Sequence, residues 1–170
     1  MNRHLWLIGM MGSGKTTAAR RIASRWGEKW VDTDAQVSRS TQYSIAQIWA
    51  DSGEKAFRQM EALELKVVAE GPPSVVATGG GIVLDPQNVQ KMRETGVVVW
   101  LSALPETLSK RVMQNTSRPL LADDASSDRL AKILDARHSL YEAAAHCVVE
   151  TDELDVVEVI DRIEAVWNEF

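Results

Sequence analysis

The octapeptide Gly9-Met10-Met11-Gly12-Ser13-Gly14-Lys15-Thr16 follows directly on the apolar run Leu5-Trp6-Leu7-Ile8. It matches G-x-x-x-x-G-K-[ST], the pattern of a loop that joins a strand to a helix and surrounds phosphate groups. The glycines let successive backbone N–H groups converge on phosphate oxygens, and the helix that follows turns the positive end of its dipole toward the anion. The stretch therefore predicts a phosphate-binding loop at the end of the first strand.

The two residues that close this motif carry side-chain chemistry. Lys15 can reach the β- and γ-phosphates of a nucleotide, and the hydroxyl of Thr16 can hold Mg²⁺. The plain alternative is a glycine-rich turn without a ligand. An apolar strand before the motif and a helical pattern after it favour the phosphate site over that alternative.

Composition sets limits on the function. The chain has 170 residues, 45% hydrophobic and 25% charged, which indicates one domain with a full core. A net charge of −5 disfavours broad contact with nucleic acid, and no stretch approaches the ~20 apolar residues of a membrane span. One cysteine, Cys147, excludes an internal disulfide and falls in an apolar run that predicts a core position. We expect a cytoplasmic protein, since the first strand begins without a signal-peptide pattern.

Short apolar runs alternate with helical patterns along the chain, as a parallel α/β sheet requires. Their near-continuous apolar character is typical of strands that helices cover on both faces. The stretch 115–127 lacks periodicity, and we predict a mobile loop there. The predicted strands are 5–8, 30–31, 75–77, 97–101 and 147–149. The predicted helices are 16–26, 45–50, 54–70, 86–94, 105–114, 128–144 and 155–167.

Two further segments follow predicted strands. Thr78-Gly79-Gly80-Gly81 comes after the strand at 75–77, and Asp32-Thr33-Asp34 comes after the strand at 30–31. Ligands of parallel α/β sheets gather at the carboxyl ends of strands, where glycines allow close approach to the backbone. The alternatives are a flexible turn for the glycines and helix capping for the aspartates. The phosphate loop shifts the balance toward a metal and an acceptor hydroxyl as the partners of the two carboxylates.

Three arginines are candidate ligand-binding residues, but the sequence around each of them does not by itself assign that role. Arg58 lies early in a long helix, Arg118 lies in the irregular stretch, and Arg137 precedes Tyr141 by one helical turn. Taken alone, each fits a solvent-exposed surface arginine better than a ligand-binding one. Glu61 follows Arg58 by one turn, a spacing that predicts an ion pair between them.

In this order, the segments resemble the successive motifs of the shikimate kinases. The resemblance covers about residues 5–163, and the ordered set is far more specific than any single motif. One position departs from the family pattern, because Ser139 stands where proline usually follows the last arginine by two residues. The motifs are Gly9–Thr16, Asp32-Thr33-Asp34, Ser44-Ile45, Gly53-Glu54, Phe57-Arg58 with Glu61, Thr78-Gly79-Gly80-Gly81, Arg118-Pro119-Leu120-Leu121, and Arg137 with Leu140-Tyr141.

The resemblance implies an α/β fold of the P-loop kinase type: a three-layer αβα sandwich around a five-stranded parallel sheet of order 2-3-1-4-5. It implies one domain over 1–170, with a mobile lid at about 115–127 and an acceptor-binding helical region at about 35–62. The implied reaction moves the γ-phosphoryl group of ATP to the 3-hydroxyl of shikimate, giving shikimate 3-phosphate and ADP. The implied cofactor is Mg²⁺. We expect a monomer whose partners are these small molecules.

The resemblance also implies a role for single residues. Asp34 would orient the acceptor hydroxyl and accept its proton, while Lys15 and Arg118 would stabilise the transferring group. Arg58 and Arg137 would bind the shikimate carboxylate, which suits the planar guanidinium. The predicted ATP-binding residues are Gly12, Ser13, Gly14, Lys15, Thr16, Thr17, Arg111 and Arg118; the predicted substrate-binding residues are Asp34, Arg58, Gly80, Gly81 and Arg137; the predicted Mg²⁺ ligands are Thr16 and, through water, Asp32.

Two alternatives stay open at this point. A kinase for another small metabolite or for a nucleoside monophosphate would share the phosphate loop and an arginine-bearing lid. A non-catalytic ATP-binding relative would share the fold. The aspartate pair with the glycine triplet favours shikimate over the first alternative.

Overall fold

Strands and helices alternate through the residues that the computed structural model describes, 1–114 and 126–170. The strands are β1 (His4–Ile8), β2 (Trp30–Asp32), β3 (Val75–Ala77), β4 (Gly96–Ser102) and β5 (Cys147–Glu150). The helices are α1 (Lys15–Trp26), α2 (Thr33–Thr41), α3 (Ile45–Ala69), α4 (Pro86–Thr95), α5 (Pro105–Gln114), α6 (Ser127–Ala144) and α7 (Val156–Trp167). Every predicted strand is present, with bounds that differ by at most one residue at either end.

The five strands form one parallel sheet in the order β2-β3-β1-β4-β5. The central strand β1 pairs with β3 on one side and with β4 on the other. The predicted fold class and strand order are therefore confirmed. Because all strands run in the same direction, the loops that follow them meet at one edge of the sheet.

Two hydrophobic clusters cover the two faces of the sheet. Trp6 and Val98 point into the cluster that contains side chains of α3, α4, α5 and α6. Their neighbours Leu5, Leu7 and Val99 point into the other cluster, against α1 and α7. This alternation is the period of two that a strand imposes on its side chains. The sheet is thus the middle one of three layers.

The periodicity predicted no separate helix at α2, although the family resemblance implied a helical region at about 35–62 that includes most of it. Asp32 caps α2 by accepting a hydrogen bond of 3.1 Å from the Ala35 N–H. Only Thr33 and Val37 of α2 are buried, so the helix shows little hydrophobic periodicity. Gly53 interrupts α3 with φ of 77° and ψ of 173°, which separates the two predicted helices at 45–50 and 54–70.

The edge strands differ from the prediction that helices cover both faces. Trp30 on β2 is 41% exposed and Val148 on β5 is 43% exposed. Cys147 is half-buried and lies on β5, so its predicted core position is wrong. The flanking helices therefore leave part of a sheet face uncovered at each outer strand. Among the described residues, none of the helices is long and apolar enough to cross a bilayer.

Candidate active site

The two glycine runs meet at the edge where the parallel strands end. A β-carbon placed on Gly80 would stand 3.5 Å from the carbonyl oxygen of Gly9 and 3.6 Å from the nitrogen of Met11. These are ordinary van der Waals distances for an added atom, so the triplet lies beside the backbone of the phosphate loop with room for one methyl group between them. The segment after β3 and the segment after β1 therefore form one continuous surface.

The phosphate loop depends on glycine at two crowded positions. Gly9 and Gly12 have positive φ, 139° and 82°. A β-carbon on Gly12 would lie 2.8 Å from the carbonyl oxygen of Leu108 on α5, and one on Gly9 would collide with the carbonyl oxygen of Leu101 on β4. The loop is thus held between β4 and α5, and this packing explains why its glycines are needed.

The first turn of α1 opens toward the phosphate loop. Gly14, with φ of 93°, caps the helix, and the N–H of Ala18 bonds to its carbonyl oxygen at 2.9 Å. The N–H groups of Lys15, Thr16 and Thr17 come before that first helical bond, so they point out of the helix end. An anion at this position would meet both these donors and the positive end of the helix dipole.

The Lys15 side chain is buried inside the loop. Its Nζ donates hydrogen bonds of 2.8 Å to the carbonyl oxygens of Gly9 and Met10. Only 8% of the residue is exposed. The ammonium is thereby placed at the centre of the loop, where the motif predicts a phosphate chain.

The predicted metal ligands lie side by side. The Thr16 hydroxyl donates a hydrogen bond of 2.7 Å to Oδ2 of Asp32. The other carboxylate oxygen of Asp32 caps α2, so the capping alternative and the metal-site prediction describe two oxygens of one side chain. A hydroxyl beside a carboxylate forms an oxygen donor set of the kind that Mg²⁺ prefers. Within residues 1–114 and 126–170, no cluster of three His, Cys, Asp or Glu residues could hold a metal ion.

Two carboxylates flank Gly79. A β-carbon on Gly79 would fall 2.6 Å from Oδ1 of Asp34 and would collide with Oε1 of Glu61. The Gly79 N–H donates a 3.1 Å hydrogen bond to the hydroxyl of Thr33, which ties the triplet to α2. Burial raises the pKa of Glu61 above its ordinary value; Arg58 opposes this shift and the charge of Asp34 adds to it. Gly79 thus lets α2 and α3 bring two acidic groups to the same point.

The Arg58 guanidinium lies against Gly81. A β-carbon on Gly81 would collide with its Cζ and both of its terminal nitrogens. Glu61 binds Arg58 Nη1 at 2.7 Å, and Glu54 binds Nη2 at 3.3 Å. The predicted ion pair of Arg58 with Glu61 is therefore confirmed, and Glu54, one turn earlier on α3, is a second partner.

Arg137 reaches the triplet from the opposite side, on α6. Its Nη1 donates a hydrogen bond of 3.2 Å to the carbonyl oxygen of Gly80. The hydroxyl of Tyr141, one turn later, donates to the same oxygen. Two guanidinium groups, one from α3 and one from α6, therefore border the glycine triplet beside the phosphate loop.

Arg111 lies at the same edge of the sheet, beyond β5. Its Nη1 donates to the hydroxyl of Thr151 at 2.9 Å and its Nη2 to the carbonyl oxygen of Thr151 at 2.6 Å. These two bonds fix the plane of the guanidinium. Its predicted role in ATP binding stays a prediction.

Most of the predicted lid at about 115–127 lies outside the described residues. Arg118 lies outside them as well. Of the lid, the structure describes Ser126 and Ser127, which are the N-cap and the first residue of α6. The sequence analysis did not find the contacts of Thr33 with Gly79 or of Tyr141 with Gly80. Glu54 was detectable, because it precedes Arg58 by four residues within a helical pattern.

Comparison with known proteins gives independent evidence on the family of this chain. A sequence profile described as "Shikimate kinase" matches residues 11–167. A shikimate kinase of Thermosynechococcus vestitus is 44% identical over 141 residues, which is 83% of this chain and 76% of the relative. One of Symbiobacterium thermophilum is 41% identical over 159 residues, 92% of this chain and 91% of the relative.

Solved structures agree with the sequence comparison. A shikimate kinase from Acinetobacter baumannii, determined in complex with shikimate, superposes with a TM-score of 0.91 at 30% identity. The superposition covers 98% of this chain and 93% of that one. The similarity thus spans the sheet, the phosphate loop and the helices that carry both guanidinium groups.

Proposed function

Because the chain belongs to the shikimate kinase family, we propose that it transfers the γ-phosphoryl group of ATP to the 3-hydroxyl of shikimate. The products are shikimate 3-phosphate and ADP. One observation carries the proposal. The glycine triplet lies beside the phosphate loop and is bordered by the guanidinium groups of Arg58 and Arg137. A carboxylate-bearing acceptor and a nucleotide would therefore bind next to each other.

Charge complementarity supports this acceptor. The chain has a net charge of −5, yet Lys15, Arg58 and Arg137 are brought to one edge of the sheet. Arg137 bonds to the Gly80 carbonyl and to the Tyr141 side chain, and a carboxylate can engage a guanidinium by two parallel hydrogen bonds. The local field, rather than the net charge, attracts the two anionic substrates.

Lys15 serves the donor side of the reaction. Phosphoryl transfer passes through a loose transition state, so catalysis is mainly positioning and charge stabilisation. The Lys15 ammonium donates hydrogen bonds to the loop carbonyls of Gly9 and Met10. When ATP binds, the same ammonium contacts the β- and γ-phosphate oxygens. The N–H groups at the start of α1 bind the same phosphates.

Asp34 serves the acceptor side. It orients the attacking hydroxyl and accepts its proton late in the transfer, because a loose transition state needs little activation of the nucleophile. Its neighbour Glu61 holds Arg58 through the 2.7 Å ion pair. The two carboxylates thus have different tasks, one toward the hydroxyl and one toward the arginine.

Thr16 and Asp32 are the residues that would hold Mg²⁺, Thr16 directly and Asp32 through the water shell. The ion, when bound, would neutralise charge on the phosphate oxygens. Arg118 over the phosphates and Arg111 near the adenine complete the proposal. The single domain, the monomeric state and the cytoplasmic location stay predictions.

A coupled assay of ADP release with and without shikimate tests the function. We expect ADP release to depend on shikimate and on Mg²⁺, and to be far slower with gluconate or a nucleoside monophosphate as the acceptor. Turnover with another acceptor but not with shikimate would favour a different small-metabolite kinase. ATP binding without turnover on any acceptor would favour the non-catalytic relative.

A further inference from the structure

We propose that Tyr141 is a positioning residue for the acceptor site, acting through the peptide unit that joins Gly80 to Gly81. This inference rests on the proposed function, since it assigns Tyr141 to the binding of shikimate. The Tyr141 hydroxyl donates a hydrogen bond to the carbonyl oxygen of Gly80, across 61 residues of sequence. The reaction described above gives the hydroxyl no other task.

The direction of the Gly80 carbonyl sets the direction of the next N–H. In a planar trans peptide, the C=O of one residue and the N–H of the next point to opposite sides. Holding the Gly80 oxygen therefore aims the Gly81 N–H, and Gly81 is one of the residues predicted to bind the acceptor. Glycine at both positions leaves this peptide free to rotate unless something outside it holds it.

The ring of Tyr141 is itself held in place. The residue is fully buried and stacks on Trp100, with ring centroids 5.4 Å apart and an interplanar angle of 18°. Trp100 Cδ1 in turn lies 3.3 Å from the position of a β-carbon on Gly9. Trp100 thus lies close to the phosphate loop, and Tyr141 links it to Gly80, which lies beside the same loop. The hydroxyl is therefore fixed relative to the phosphate loop.

Tyr141 also affects the direction in which the Arg137 guanidinium points. Both residues donate to the same carbonyl oxygen, Arg137 at 3.2 Å. Without the hydroxyl, the carbonyl can turn toward Arg137 and hold its guanidinium away from a carboxylate. The ordinary tyrosine pKa of 10.0 already keeps the hydroxyl protonated under assay conditions, and burial raises the pKa of Tyr141 further, to about 12.

Tyr141→Phe isolates the hydroxyl, because the ring that stacks on Trp100 is retained. We expect the shikimate KM to rise about 3- to 10-fold, because the phenyl ring can bond neither to the Gly80 carbonyl nor to the Arg137 guanidinium. The ATP KM should stay within about twofold, since the phosphate loop still packs on Trp100. Thr95→Val is the matched control. It removes a hydroxyl that donates to a backbone carbonyl at 2.8 Å, at the opposite edge of the sheet, and should leave both KM values unchanged.

The outcomes separate positioning from stability. A lower kcat with both KM values unchanged would mean a smaller folded fraction and would overturn the proposal, as would wild-type kinetics in Tyr141→Phe. The amide resonances of Gly80 and Gly81, recorded without substrate, should shift in Tyr141→Phe and not in Thr95→Val. A wild-type protein without shikimate-dependent turnover would contradict the proposed function, and unchanged amide resonances would contradict the hydrogen bond itself.

Discussion

The guanidinium of Arg58 lies against the α-carbon of Gly81, in the space that a β-carbon would fill. Glu61 and Glu54 hold the guanidinium there from the same helix. A side chain at position 81 and the arginine therefore exclude each other. The glycine is required by the close approach of this side chain, since its φ is not positive.

We predict that Gly81→Ala raises the shikimate KM by roughly 10- to 100-fold, because the displaced Arg58 loses charged hydrogen bonds to the acceptor. Gly79→Ala should also impair the acceptor site, since its methyl group would meet Asp34 and Glu61. Gly80→Ala should have the smallest effect of the three, with its nearest neighbour at 3.5 Å. Steady-state kinetics of the three variants measure the order, and a Gly80 variant worse than the other two would contradict it.

Arg137→Ala should mainly weaken acceptor binding. Each lost charged hydrogen bond costs about 1.5–3 kcal/mol, so we expect the shikimate KM to rise by about tenfold or more. Arg137→Lys should recover little, because an ammonium cannot form the paired hydrogen bonds of a guanidinium. Arg162→Ala, an exposed arginine on α7, is the control. An unchanged shikimate KM in Arg137→Ala would refute the role.

Asp34→Asn tests proton acceptance. The amide keeps the size of the carboxylate but cannot take the proton, so kcat should fall by roughly 10²- to 10⁴-fold. The shikimate KM should change much less than kcat. Asp135→Asn removes an exposed carboxylate of α6 and should behave as the wild type. Wild-type turnover in Asp34→Asn would remove the residue from the chemical step.

The stability of the fold should depend on pH through His4, far from the active site. Its Nδ1 accepts a 3.2 Å hydrogen bond from the Ser74 N–H, and burial lowers its pKa below the ordinary 6.5. The unfolded chain therefore takes up a proton at pH values where the folded chain does not. The contribution of His4 to the free energy of unfolding is therefore fully present above pH 6.5, and it is lost as the pH falls below that value.

Urea unfolding at several pH values measures this dependence. In His4→Asn, which keeps a neutral acceptor, the decline below pH 6.5 should be shallower than in the wild type. His138→Asn, which removes an exposed histidine, is the control and should keep the wild-type slope. Equal slopes in all three proteins would show that another group, such as His146, whose pKa burial also lowers, dominates the decline.

The parts of the fold that were predictable have local causes. The phosphate loop, the strands and the long helices follow from glycine spacing and from apolar periodicity within a few residues. The periodicity missed the short polar helix α2, which only the family resemblance implied as part of a helical region, because only Thr33 and Val37 of its nine residues are buried. Its signal was the cap at Asp32, which the sequence analysis weighed only as an alternative to a metal ligand.

The site itself was predictable residue by residue only through the family resemblance. Arg58 with Glu61 lies within one helical turn, and that spacing indicates their ion pair. The bond of Tyr141 to Gly80 spans 61 residues and arises because α6 packs against β4 and against the turn Ile82–Leu84 that follows the glycine triplet. Periodicity does not contain such a contact, since it depends on how the layers stack. The acceptor is also a backbone carbonyl, which every residue has, so the residue types give no sign of this hydrogen bond.

On the proposed function, the phosphate loop and the glycine triplet bind a nucleotide and shikimate side by side for direct transfer. ³¹P NMR of a reaction with ATP, Mg²⁺ and shikimate tests it most directly. We predict that a phosphomonoester coupled to the proton at carbon 3 of shikimate appears in equal amount with ADP. Formation of ADP and inorganic phosphate without that monoester, or of a monoester at another hydroxyl, would contradict the account.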